Sequence, residues 1–392
     1  MINLLVITSL FPNCMQYRHG IFVETKLKKI LKTGDVNAVV IAPVPWFPFK
    51  NKYFSRYSVY ANVPKTDVRY GVTVYYPRYL VIPKIGMLLT PFMMALSIYL
   101  TTFKVKKSGY KYNLIDAHYF YPDGVAVSIV AKIQNLPLVI SALGSDINVI
   151  ANSFFPKKMI LWAAKKAGAS ITVSRALKDR MVQMGADSKK INVLRNGVDL
   201  NLFCPLNRDV IRKKYGLKKN TLISVGNLIE LKGHDLIIKS LLKLPTCELL
   251  IVGGGELEDK LKELVSKLNL CDRVRFMGTV KQDQLAELFN ASDIMVLASS
   301  REGWANVLLE SMACGTAVAA TAVGGTPEVI QSEYAGLLIK ERTSECIAAT
   351  IQNLITSNRS RQKTREYAEL FSWDEVVEAQ VNLYMSVRKN HA

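Results

Sequence analysis

The chain has 392 residues, enough for two domains of ordinary size, and 49% hydrophobic with 9% aromatic residues excludes a disordered chain. Its six cysteines form no Cys-x-x-Cys pair and its four histidines are scattered, which fits reduced thiols in a cytoplasm and excludes a structural zinc cluster. The net charge of +19 is uneven, with 27 Lys and Arg against 9 Asp and Glu in residues 1–200 and 24 against 23 in residues 201–392. The first half therefore points to an anionic partner; without an RNA-binding fingerprint, zinc finger or basic heptad, nucleic acid is set aside in favour of an anionic membrane surface.

Residues 3–8 read as a first strand and not a signal peptide, because no basic segment precedes the apolar run. A loop, a helix from about Gly20 and a strand at 36–42 follow. Near-continuously apolar strands alternating with helices indicate an α/β chain with parallel sheets covered on both faces. Ligands gather at the strand carboxyl ends of such sheets, which places Arg18, His19 and Gly20 where a ligand would sit. A self-packed loop held by Pro12 and its aromatic neighbours accounts for the same residues equally well. Residues 44–71, rich in proline, aromatics and cations, read as an exposed loop suited to acceptor or membrane contact. Residues 85–103 carry no charge and are long enough for a membrane span. One crossing would separate the strands expected at 72–76 and 113–117, so a core helix or a helix lying on a membrane is expected instead. His118 closes the second of these strands, where a histidine is more often structural than catalytic. A strand then leads into Gly144-Ser145-Asp146, residues 169–174 enter a basic helix, and Asn196-Gly197 is a turn before a linker at 200–209.

The second half restarts with a strand at 221–225 and a loop that offers Lys232 beside Gly233, a cation suited to phosphate; a solvated lysine at a helix start is the plain alternative. A strand at 249–252 runs into Gly253-Gly254-Gly255, a packing feature or a phosphate-facing wall. Another strand ends at Gly278–Val280. The short apolar run Ile294–Leu297 reads as a buried strand, followed by a polar loop and a helix from Trp304 to Cys314. The start of that helix has unpaired N–H groups and the positive dipole end, and Gly303 lets backbone approach a ligand, so an anion is favoured there. Glu302 precedes the helix. Glu310 lies about two turns in, on a face shared with Asn306, Ala313 and Cys314. A carboxylate so placed can accept two hydrogen bonds from a diol. Taken alone, two such glutamates read first as a dipole partner and a solvated helix residue, and the surrounding stretch reverses that. Helices at 344–356 and 359–370 and a last amphipathic helix, with Val376, Val377, Val381, Tyr384 and Val387 on one face, complete the chain.

The stretch EGWANVLLESMACGTAVAATAVGGTPE, residues 302–328, resembles the Glu-x7-Glu signature of glycosyltransferase family 4 (glycosyl transferases group 1), retaining nucleotide-sugar transferases of GT-B fold. The resemblance extends over nearly the whole chain. It implies two Rossmann-like parallel-sheet domains facing across a cleft: residues 1–199 on the acceptor side, braced by a returning helix at 375–392, and residues 200–374 binding the donor. It also implies a donor site of Gly20, Asn227, Gly278, Val280, Gly303, Trp304, Ala305, Asn306, Val307 and Glu310. Lys232, Glu302 and His118 would be catalytic, and Arg18, His19 and Asp146 would stand on the acceptor side. In this picture Lys232 and the helix start meet the departing diphosphate, Glu310 orients the ribose, and Glu302 holds sugar hydroxyls. Two departures are visible: Asn227 replaces the family's arginine, and Leu143 stands where a histidine usually precedes Gly144.

The expected reaction is transfer of a hexose-type sugar, UDP favoured over GDP as carrier, to a lipid-linked or polysaccharide acceptor in cell-surface polysaccharide synthesis, at the cytoplasmic face of the cell membrane. No Asp-x-Asp motif occurs, so neither metal nor other cofactor is expected. A glycosidase would also use two carboxylates, but not on an anion-binding helix start. A nicotinamide oxidoreductase would need a G-x-G-x-x-G opening that is missing. A catalytically silent glycan- or lipid-binding relative is the remaining alternative; the intact Glu302, Glu310 and Lys232 count against it, and Asn227 and Leu143 count slightly for it.

Overall fold

The structure is a computed structural model that describes residues 1–47, 55–81, 86–218, 220–357 and 359–391. The chain divides into two compact units, Met1–Asn196 with Asp374–Ala392, and Gly197–Trp373, against expected borders at 199/200 and 374/375.

The first unit contains strands β1 (Ile2–Ile7), β2 (Val36–Ile41), β3 (Val44–Pro45), β4 (Thr66–Arg69), β5 (Val72–Tyr75), β6 (Arg78–Tyr79), β7 (Leu114–His118), β8 (Leu138–Ala142), β9 (Ala169–Thr172) and β10 (Ile191–Val193). Eight of them form one sheet in the order β10-β9-β8-β7-β1-β2-β5-β4. Leu4, Leu5, Val6 and Ile7 are at most 1% exposed, as a strand covered on both faces requires. The chain leaves β1 towards β2 on one side and returns beside it as β7, so the loops after β1 and β7 diverge and leave a crevice at their carboxyl ends.

The second unit contains β11 (Asn220–Val225), β12 (Cys247–Val252), β13 (Val274–Gly278), β14 (Ile294–Leu297), β15 (Ala317–Thr321) and β16 (Gly336–Ile339), all parallel, in the order β13-β12-β11-β14-β15-β16. That is the doubly wound nucleotide-binding order, and its direction reverses between β11 and β14.

Two expectations are corrected. Where described, residues 44–71 are not a loop but β3, a helix Ser55–Asn62 and β4, with 48–54 outside the described residues. Strand β4 pairs antiparallel with β5 because Tyr70 and Gly71, at φ 52° and 79°, make the two-residue turn that hairpins favour. The linker at 200–209 belongs to the second unit: Phe203 is buried beside Phe289, Leu206 N donates to Asn290 Oδ1 at 2.8 Å, and Asn207 caps a helix Arg208–Tyr215. The uncharged stretch forms a helix Gly86–Lys107 packed by one face on the first unit, and β5 and β7 do share a sheet. The last helix, Trp373–Lys389, buries Val377, Val381, Tyr384 and Val387.

Candidate active site

At the carboxyl end of β11 the chain turns through Gly226, and a Cβ on Gly253 would lie 1.9 Å from the Gly226 carbonyl oxygen. Leu228 N donates to Gly254 O at 3.0 Å. Of the two readings of the glycine turn at 253–255, packing against the β11 loop is therefore the one observed. A 3-10 turn, Glu230–Lys232, stops at Gly233 in the left-handed region (φ 65°), where a Cβ would meet Ala298 O at 2.4 Å. The loops after β11 and β14 are thus pressed together. Ser300 N donates to Leu231 O at 2.8 Å, and Arg342 stitches both loops by donating to Ala298 O at 2.7 Å and Glu230 O at 3.0 Å.

This contact brings the two expected catalytic groups together. Lys232 Nζ lies 2.6 Å from Glu302 Oε1, and Ser299 Oγ donates to the same oxygen at 2.6 Å. The pair is shielded but reachable, with the lysine side chain 21% and the glutamate 11% exposed. The backbone of Glu302 is held by the later Gly-Gly turn, since a Cβ on Gly324 would lie 1.8 Å from Glu302 O. Behind the lysine, His234 Nδ1 is 3.0 Å from Ser224 Oγ. Burial, assisted by Lys232, pushes its pKa down to about 4, so the imidazole is neutral.

The helix after Glu302 spans Asn306–Ala313, starting two residues later than expected, and its cap residue Ala305 offers no side-chain acceptor to the first N–H groups. Trp304 and Ala305 are buried, the indole 6.2 Å from the Phe371 ring, so only their backbone can meet a ligand. Asn306, Val307 and Glu310 are partly exposed, whereas Ala313 and Cys314 are buried; the ligand-facing stripe is narrower than expected. Gly278, at φ 64°, ends β13, and buried Val280 likewise presents backbone alone. Asn227 is exposed. Beyond its three-residue separation, nothing marks Ser299 in advance as a partner of Glu302, and nothing marks Arg342.

In the first unit, His118 is 4% exposed, with Nε2 3.0 Å from Asp116 Oδ2. The same oxygen accepts from Tyr384 Oη at 2.6 Å, and Gln380 Nε2 donates to that hydroxyl. Burial raises the Tyr384 pKa well above its ordinary value, keeping it a donor. A carboxylate at Nε2 holds a ring proton on that nitrogen and fixes the orientation of the imidazole. Alternate residues of a strand share a face, so the Asp-x-His spacing was a readable sign of this pair.

Asp146 is one of the residues expected on the acceptor side. Its carboxylate is fully buried and accepts from Phe120 N and Gly144 N, each at 2.8 Å, so it fastens the loops after β7 and β8 together. The first loop is self-packed: Tyr76 Oη donates to Pro12 O at 2.9 Å, and Gly20, at φ 69°, lies where a Cβ would be 2.1 Å from Leu10 O. Ser9 donates through N and Oγ to Asp123, a fully buried carboxyl that sequence reasoning missed and that burial pushes up to about 7. Arg18 is partly exposed beside the Tyr17 ring, and His19 is exposed.

Residues 31–202 match the family model described as Glycosyltransferase Family 4, and residues 207–371 match Glycosyl transferases group 1. The D-inositol 3-phosphate glycosyltransferase of Mycobacteroides abscessus is 30% identical over 298 residues, 71% of this chain and 67% of that protein. Sucrose-phosphate synthase from Thermosynechococcus elongatus superposes with a TM-score of 0.82 over 99% of each chain at 20% identity. Anabaena HepE in complex with UDP-glucose gives 0.75 over 98% of this chain and 100% of that one, also at 20% identity. At such identity the two structures speak for the fold.

Proposed function

The chain belongs to glycosyltransferase family 4, with the GT-B type of fold, and from that premise we propose that it transfers a hexose-type sugar, with retention, from a nucleotide diphosphate sugar to a lipid-linked or polysaccharide acceptor. The observation that carries this reading is the Lys232–Glu302 pair at the β11/β14 switch, next to the start of the helix Asn306–Ala313. As the bond from C1 to the phosphate oxygen breaks, negative charge grows on the diphosphate; Lys232 and the N–H groups at 303–306 lie where they can meet it. The acceptor hydroxyl oxygen bonds to C1, and its proton leaves with the nucleoside diphosphate. Glu302 holds sugar hydroxyls and offsets positive charge on the anomeric carbon, and Glu310 takes the ribose diol. Cations supplied by the chain itself make turnover independent of metal. UDP is favoured as the carrier, in keeping with the UDP-glucose bound by HepE, and the excess of cations in the first unit supports work at the cytoplasmic face of an anionic membrane, in surface-polysaccharide synthesis.

The test is nucleotide release from UDP-glucose and from GDP-mannose, with and without EDTA. Release from the UDP donor, unchanged by EDTA, is expected. Release that EDTA abolishes would refute metal independence. No release and no donor binding would favour a silent glycan- or lipid-binding relative, the reading to which Asn227 and Leu143 lend support.

A further inference from the structure

The helix Gly86–Lys107 carries large apolar side chains on its outer as well as its inner face. A helix lying on a sheet ordinarily turns its large apolar side chains inward and its polar ones to water. Here the inner face carries Met94, Ile98 and Val105 but also buried Thr101 and Thr102, with Ser97 Oγ donating to Arg78 O at 2.9 Å and Gln134 Nε2 to Thr102 Oγ1 at 2.7 Å. The outer face carries Met87 (54% exposed), Leu88 (36%), Phe92 (48%), Leu96 (57%), Leu100 (55%) and Phe103 (52%). From Leu88 to Phe103 these recur every three or four residues, forming one ridge about 22 Å long. No charged residue interrupts it, and Lys104, Lys106 and Lys107 follow at once in the last turn.

The surrounding charge identifies what covers this ridge. Between Asp67 and Asp116 the sequence holds seven lysines and arginines and no acidic residue. The residues of the first unit hold 29 Lys and Arg against 11 Asp and Glu, which is +18 of the chain's +19. We propose that the ridge is a docking surface for an anionic lipid bilayer. The helix lies in the plane of the membrane, with its ridge at the acyl boundary and its terminal lysines among the headgroups. A second copy of the chain suits the ridge less well, because it would press two units of +18 together. A crossing of the bilayer is ruled out by the inner face, which is bonded to Arg78 and Gln134 of the same unit. The proposal rests on the membrane-borne acceptor suggested above and names the surface that would meet that membrane.

The experiment is co-flotation of the full chain with phosphatidylcholine vesicles, with and without about one-third phosphatidylglycerol, for the wild type and for Leu96→Asp/Leu100→Asp. Both leucines face solvent, so circular dichroism of the variant should match the wild type. The wild type should float with the anionic vesicles, and the variant should float at least about tenfold less. Both should release nucleotide from UDP-glucose equally in lipid-free buffer, so that a failure of docking is distinct from a failure of glycosyl transfer. The proposal is overturned if the wild type ignores anionic vesicles or if the variant floats as well as the wild type. It is also overturned if the wild type sediments as a dimer that the variant dissociates.

Discussion

Lys232→Ala should slow nucleotide release from the sugar donor by about 10²–10³-fold, the usual cost of removing one preorganised group that faces charge growing in a transition state. The lysine is partly shielded from water, its ammonium held 2.6 Å from Glu302, and buried His234 beside it is neutral. Arg342, the neighbouring cation, is engaged with the carbonyl oxygens of Ala298 and Glu230. Because the diphosphate carries more charge when it leaves than when it is bound, the loss should fall mainly on kcat and less on KM. Lys232→Arg keeps the charge but replaces a point cation with a planar fork and should recover only part of the rate. Turnover within about threefold of the wild type in Lys232→Ala would remove the lysine from the mechanism.

Glu302→Ala should cost about 10²-fold or more, for a different reason. Glu302 accepts both Lys232 Nζ and Ser299 Oγ on one oxygen, which leaves Oε2 for a sugar hydroxyl. Removing the carboxylate deletes the sugar contact and lets the lysine swing. Glu302→Gln retains hydrogen-bonding capacity without charge; a loss in Gln as large as in Ala would show that the charge itself matters. Since the two residues act as one unit, the double variant should be no slower than the worse single variant by more than a few-fold. Full multiplication of the two effects, measured as kcat/KM, would mean that they act independently.

The parts of this site that depend on local pattern were legible in the sequence. The apolar run Ile294–Leu297, the polar loop and the helix after it announce a strand, an anion-binding turn and a helix within about twenty residues. What pairs with what was not legible. Lys232 meets Glu302 across 70 residues only because β11 and β14 are neighbours at the sheet's reversal, and strand order is a property of the assembled sheet. Tyr384 reaches Asp116 across 268 residues for the same kind of reason. The family resemblance supplied the roles of His118 and Asp146, but burial decides what they can touch: Asp146 spends its carboxylate on backbone N–H groups, and His118 is held by Asp116. Strand β4 was missed because the turn Tyr70-Gly71 that creates it lies in a stretch whose composition reads as loop.

The most direct test is a crystal structure of the protein with UDP. The diphosphate should lie within hydrogen-bond distance of Lys232 Nζ and of the N–H groups at 303–306, with the ribose hydroxyls on Glu310. UDP bound with its phosphates away from Lys232 and that helix start would contradict the account.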